Sequence, residues 1–186
     1  MYSVEIREER EDLGFSYYIV LIVMICIAGL AVLVAKTKNR QMVGWIFILY
    51  IIAILIITLV VRTYDLDAKT LLDPFSKYKW LWRKFHRIGT RTFSKGEGVI
   101  TEILLNILLF VPMGFLVPTL KEKLRVWWKI LLLGLGSSLF IELSQLVLRM
   151  GCFDVADLMH NTIGAIIGYF VWWKFLKHEK TAKKSR

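Results

Sequence analysis

The chain has 186 residues, 56% of them hydrophobic, and its 25 Lys and Arg against 15 Asp and Glu leave a formal charge of +10. Its apolar residues come in runs of about 20, the length that crosses a bilayer core, which excludes a soluble globular domain and predicts an all-α integral membrane protein. On such a chain the positive excess points to anionic lipid headgroups and to control of topology, not to nucleic acid.

The first residues, MYSVEIREERED, are rich in acids, and no small-residue cleavage pattern follows them. They do not read as a secretory signal, so the first apolar run is expected to stay in the mature protein. Five spans are predicted, at 16–35, 42–61, 99–118, 127–148 and 155–176. All five are expected to be helices, because a spanning segment must satisfy its own backbone hydrogen bonds. The first two are cleanly apolar and joined by the basic turn KTKNRQ. Pro112 lies within the third and is expected to kink it. Cys26 sits mid-span and Cys152 in a loop, so no disulfide framework is expected.

The chain thus divides into a tail with two spans (1–61), a basic connection (62–98), a core of three spans (99–176) and a basic tail (177–186). The connection holds nine Lys or Arg together with Trp80 and Trp82 and a turn-like Asp73-Pro74-Phe75. In KWLWRKFHRIGTRTF, Leu81, Phe85 and Ile88 fall at i, i+4 and i+7, with basic residues between them. That spacing fits a short amphipathic helix in the headgroup region, and a solvated basic loop anchored by its tryptophans fits the composition equally well.

Five spans place the N-tail, the 62–98 connection and the 149–154 turn on one side, with twelve Lys and Arg, and leave thirteen on the other. The second set is packed into short turns and the tail KFLKHEKTAKKSR, where the positive-inside rule holds best. The N-terminus is therefore expected outside and the C-terminus in the cytoplasm.

The last three spans carry polar groups that a lipid-facing helix would not. Glu142, Gln145 and Arg149 fall at i, i+3 and i+7, as do Asp154, Asp157 and Asn161, and Glu102 and Asn106 fall at i and i+4. At 1.5 Å per residue, Asn106, Glu142 and Asn161 lie at similar depth, about 9–11 Å below the outer surface. An intramembrane charge costs about 3 kcal/mol on insertion scales and usually faces a bundle interior or a wet cavity. The expectation is an outward-facing polar pocket among spans three to five, lined by Asn106, Glu142, Gln145, Arg149, Asp154, Asp157 and Asn161. The alternative is that these groups only hydrogen-bond the helices together, with Arg149 pairing Asp154 or Asp157. Gly164 and Gly168, in GAIIG, continue the Asn161 face and allow close helix approach.

The segments NILLFVPMGFLVP, IELSQ, FDVADL and NTIGAIIGY, with Arg149 between the second and third, resemble the VanZ-like family of bacterial membrane proteins, strongly over 99–172. LLDPF matches a family N-P-F more weakly, and the first two spans match in hydropathy alone. The resemblance marks Asn106, Pro112, Gly114, Glu142, Gln145, Arg149, Asp154, Asp157, Asn161, Gly164 and Gly168, with Pro112 and the glycines as structural positions. Ala156 stands where relatives often carry a further acid, and His160 occupies a usually aliphatic position, read here as a variant neighbour and not a ligand.

The founding member is linked to resistance to the glycopeptide teicoplanin, so the resemblance implies a plasma-membrane protein of that kind, or one with a related envelope role. Its pocket would bind a lipid headgroup, a lipid-linked wall precursor or the glycopeptide. The alternative is a membrane-embedded enzyme acting on a lipid-linked envelope substrate, with Glu142 as general acid or base and Asp154 and Asp157 as further catalytic candidates. No activated Ser or Cys, HExxH, Cys/His cluster or P-loop supports it, and no metal or other cofactor is expected. Transport is disfavoured, because spans one and two offer almost nothing polar and no inverted repeat is evident.

Overall fold

The computed structural model describes residues 39–60, 70–87, 93–149 and 153–177, with six helical positions between 22 and 33. The first predicted span and Cys152 lie mostly or wholly outside these residues. Five helices are described: α1 (Arg40–Leu55), α2 (Ser76–Arg87), α3 (Phe93–Leu120), α4 (Trp127–Leu148) and α5 (Val155–Trp172). π-helical turns extend α1 over Ile56–Val60 and α5 over Trp173–Lys177. Among the described residues three helices are long and apolar enough to cross a membrane, Arg40–Thr58, Val99–Leu120 and Trp127–Leu148.

α1 starts where the Asn39 side chain accepts hydrogen bonds from the Gln41 and Met42 N–H groups, supplying partners that the first helical turn lacks. Val43, Ile46, Tyr50 and Ile54 form its buried stripe, while the equally apolar Trp45, Ile48 and Leu49 are exposed. Such an all-round apolar helix belongs in lipid, where hydropathy cannot distinguish the packed face from the outer one. The Tyr50 hydroxyl donates to the Leu109 carbonyl at 2.8 Å and ties α1 to α3. Tyr50→Phe is expected to cost about 1 kcal/mol in denaturation of the micelle-solubilised protein, with no change in helix content.

α3 runs through Pro112 and Pro118 as one continuous helix of 28 residues. Both prolines are fully buried in the packed half of the helix. At the far end of α3, Arg40 donates to the Leu120 carbonyl and Arg125 to that of Pro118, so two cations meet carbonyls that the helix leaves free. The start of α1 and the 119–126 turn therefore share one end of the bundle. Trp172, near the end of α5, is there too, beneath the Arg125 guanidinium at 5.8 Å.

α5 packs against both α3 and α4. Along the α3–α5 seam the backbones touch: a Cβ on Gly164 would land on the Ile107 carbonyl oxygen, one on Gly168 on that of Val111, and one on Gly114 on that of Ala165. Positions rise together on both helices, so α3 and α5 run parallel. α4 returns alongside the seam, and Gly134 faces Ala165, Thr162 and Met113 together. The seam explains why Gly114, Gly164 and Gly168 matter: small residues let helices approach when lipid offers no hydrophobic drive for association.

Candidate functional site

The end of the bundle opposite Arg125 is closed by residues 70–87 of the connection. Thr70 and Leu71 (β1) pair in parallel with Phe153 and Asp154 (β2), Thr70 opposite Phe153 and Leu71 opposite Asp154. The chain then turns at Asp73-Pro74-Phe75. The Asp73 carboxylate accepts the Phe75 N–H at 3.0 Å and its carbonyl accepts the Ser76 N–H at 3.1 Å, which launches α2. Hydrogen bonding from the Lys79 ammonium, then from the Phe75 N–H, holds the Asp73 carboxyl below its ordinary range.

This places Lys77, in the first turn of α2, against Glu102 of α3 and the start of α5. Its ammonium lies 3.0 Å from Glu102 Oε1, 2.9 Å from Asp154 Oδ2 and 2.5 Å from Asp157 Oδ1. The Lys77 side chain is only 12% exposed and those of Asp154 and Asp157 5% and 3%. Burial pulls the ammonium's pKa down, but the Asp157 and Glu102 charges and the bonds to Asp157 and Asp154 outweigh it, leaving the pKa above the ordinary lysine range. Among the described residues no three His, Cys, Asp or Glu side chains form a metal-ion donor set. These carboxylates converge on an ammonium.

Each carboxylate is also fixed by its own element. Asp154 is the N-cap of α5: its Oδ1 accepts the Ala156 N–H at 2.8 Å, leaving Oδ2 for Lys77. Its own N–H donates to Glu142 Oε2 at 2.9 Å, so Glu142 on α4 positions the turn that presents Asp154. Asp157 lies in the first turn of α5, where the helix dipole favours a negative charge. Beside it the Tyr78 hydroxyl and His160 Nε2 are hydrogen-bonded at 2.6 Å, with the rings edge to face. His160 is 1% exposed; its Nδ1 has no hydrogen-bond partner and lies 3.9 Å from Asp157 Oδ1.

Deeper in the bundle, Asn161 Nδ2 donates to Ser138 Oγ at 2.8 Å; nearer the end of α4, Gln145 Nε2 donates to the Thr58 carbonyl at 2.9 Å. Asn161 Oδ1 and Asn106 Nδ2 are buried without a hydrogen-bond partner. Arg149 caps α4 in a left-handed conformation, φ 53°, with its side chain exposed.

The structure therefore brings Glu142, Asp154 and Asp157 into one contact network and places Gln145 and Asn161 at helix contacts around it. It does not give Arg149 the role of countercharge to Asp154 or Asp157; Lys77 takes it. Lys77, Tyr78 and His160 were missed, as was the role of Glu102. The signal for the first two was LLDPF, which sets a rigid turn directly before them.

A family model described as VanZ/LLP1 matches residues 47–177, from within α1 through the α2 connection to the end of α5. No curated protein and no solved structure matches the chain. The match takes in every residue of the carboxylate network and the glycine seam behind it, and with three helices fit to cross a bilayer it makes this chain a membrane protein of the VanZ/LLP1 family.

Proposed function

We propose that this protein acts in the bacterial plasma membrane to confer or modulate tolerance to glycopeptide antibiotics of the teicoplanin type. The VanZ family is linked to glycopeptide resistance. In this reading the chain crosses the membrane five times with its N-terminus outside. The polar end of α3, α4 and α5 then opens outward and holds a lipid headgroup, a lipid-linked wall precursor or the drug.

The observation that carries the reading is the convergence of Glu102, Asp154 and Asp157 from two helices beneath α2, at the end of the bundle away from the Arg125 turn. Purely structural glue would not need charges gathered in this number, since uncharged side chains such as Asn161 and Ser138 already join α4 to α5. The Asp154 N–H bond to Glu142 favours a positioning role for that residue over acid–base chemistry.

Teicoplanin and vancomycin susceptibility in a Gram-positive host lacking its own copy tests this, with membrane levels matched. The wild type should raise teicoplanin tolerance and Asp157→Asn should abolish the gain. Glu142→Gln should keep most of it, because the amide oxygen still accepts the Asp154 N–H. A wild type without effect rejects the antibiotic reading, and a Glu142→Gln variant that is inert at full abundance favours the enzyme.

A further inference from the structure

We infer that the nest formed by Glu102, Asp154 and Asp157 is a binding site for the primary ammonium group of a membrane lipid headgroup or of a soluble amine, and that Lys77 occupies it in the unliganded protein. This rests on reading that end of the bundle as the ligand-facing one.

Lys77 shows the chemistry the nest accepts. An alkylammonium has three N–H donors, and three carboxylate oxygens from three residues stand within 3.0 Å of its nitrogen. A quaternary ammonium offers no donor, and a guanidinium presents a planar fork that does not match a tripod. The polarity of the lining disfavours an anion: three carboxylate oxygens face the ammonium position, and a phosphate placed there would meet them directly. The basic residues of α2 are thus not the phosphate receptor that composition alone would make them. A second polar group is aimed at the nest, His160 Nδ1, buried, without a hydrogen-bond partner and 3.9 Å from Asp157 Oδ1. It suits a hydroxyl or amide next to the ligand's amine.

In this proposal α2 is the part that gives way. Among the described residues the β1–β2 pairing that leads into it has two residues, the Tyr78–His160 hydrogen bond adjoins Lys77, and Trp80 and Trp82 are exposed. Tryptophans at that level anchor to the membrane interface and would keep a released α2 at the surface. A tethered lysine competes at high effective concentration. A headgroup confined to the same surface competes on similar terms, whereas a free amine must be supplied in excess.

The test is hydrogen exchange of the α2 amides in the full-length protein, in nanodiscs of phosphatidylglycerol mixed with either phosphatidylcholine or phosphatidylethanolamine. The phosphatidylethanolamine discs should speed exchange of α2 by about tenfold or more. Ethanolamine added to the phosphatidylcholine discs reports the soluble source, with choline as its control. Acceleration by phosphatidylethanolamine alone assigns the lipid, and acceleration by both assigns the shared amine. Equal exchange in all samples, or acceleration by choline as well, overturns the proposal.

Lys77→Met provides an independent arm. Ethylammonium should raise its Tm saturably and tetramethylammonium should not; equal shifts, or none in a folded variant, reject the site. Neither readout involves an antibiotic, so an inactive protein in the susceptibility assay with an intact ammonium response removes the drug reading and leaves this one standing.

Discussion

Lys77→Met is expected to lower the free energy of unfolding by about 3–5 kcal/mol, because it strips the countercharge from carboxylates that cannot return to water. Asp154 and Asp157 are nearly buried. Lys79 is the control. It also pairs with an aspartate, Asp73 at 2.8 Å, but both side chains are about half exposed. Lys79→Met should cost under about 1 kcal/mol, the range for surface pairs. Urea denaturation in mixed micelles separates these outcomes, and equal losses would show that the nest is well solvated. Lys77→Arg should not restore the wild type, since the fork cannot replace the tripod.

The pH dependence follows from the raised pKa of Lys77. A cation stabilised in the folded state contributes fully below its unfolded pKa, near 10.4, and loses the contribution as pH rises through the higher folded value. The gap between wild type and Lys77→Met should therefore hold from pH 7 to about 10 and narrow only above it.

Gly164→Ala is the second large effect expected. The added methyl would fall on the Ile107 carbonyl oxygen, a backbone atom of α3 that cannot rotate away. Relief requires α3 and α5 to separate along the whole seam, since Gly168 and Gly114 make the same kind of contact in successive turns. The loss should reach or exceed the upper end of the usual overpacking cost of about 1–3 kcal/mol. Gly136→Ala is the contrast. Nothing lies within 4 Å of a Cβ there, so the better helix propensity of alanine should leave stability equal or improved. Monodispersity and thermal stability of the two purified variants decide the point. A stable, monodisperse Gly164→Ala protein would mean that the seam is looser than this geometry.

The helices of the core were legible because the apolar runs end where polar or turn residues begin. α4 occupies 127–148 as expected, and α5 with its final turn ends at Lys177, one residue beyond the predicted span. The helical face shared by Gly164 and Gly168 was legible for the same reason of periodicity. The cation of the site was not. Nine Lys and Arg crowd 62–98, and hydropathy gives no ground for choosing Lys77 among them. Arg149 drew the choice by closeness in sequence, whereas the actual partner lies 80 residues before Asp157. His160 was set aside as a variant at a usually aliphatic position, and its partner Tyr78 lies 82 residues earlier. Long-range pairing of loops leaves no period in a sequence, and this half of the site is made of it.

The parallel seam between α3 and α5 also bears on how the protein is made. α5 carries Asp157, His160 and Asn161 in its first two turns and is not among the helices apolar enough to cross a membrane by themselves. Its backbone touches α3 from Ile107 to Gly114, so it shares the depth of that helix. By the time α5 leaves the ribosome, α3 and the Lys77 ammonium have already been synthesised. They present a glycine-compatible groove and a countercharge that a free-standing α5 would lack. Biogenesis should then be ordered: α5 enters the bilayer as a client of the earlier helices, and damage to the groove should appear first as failed insertion.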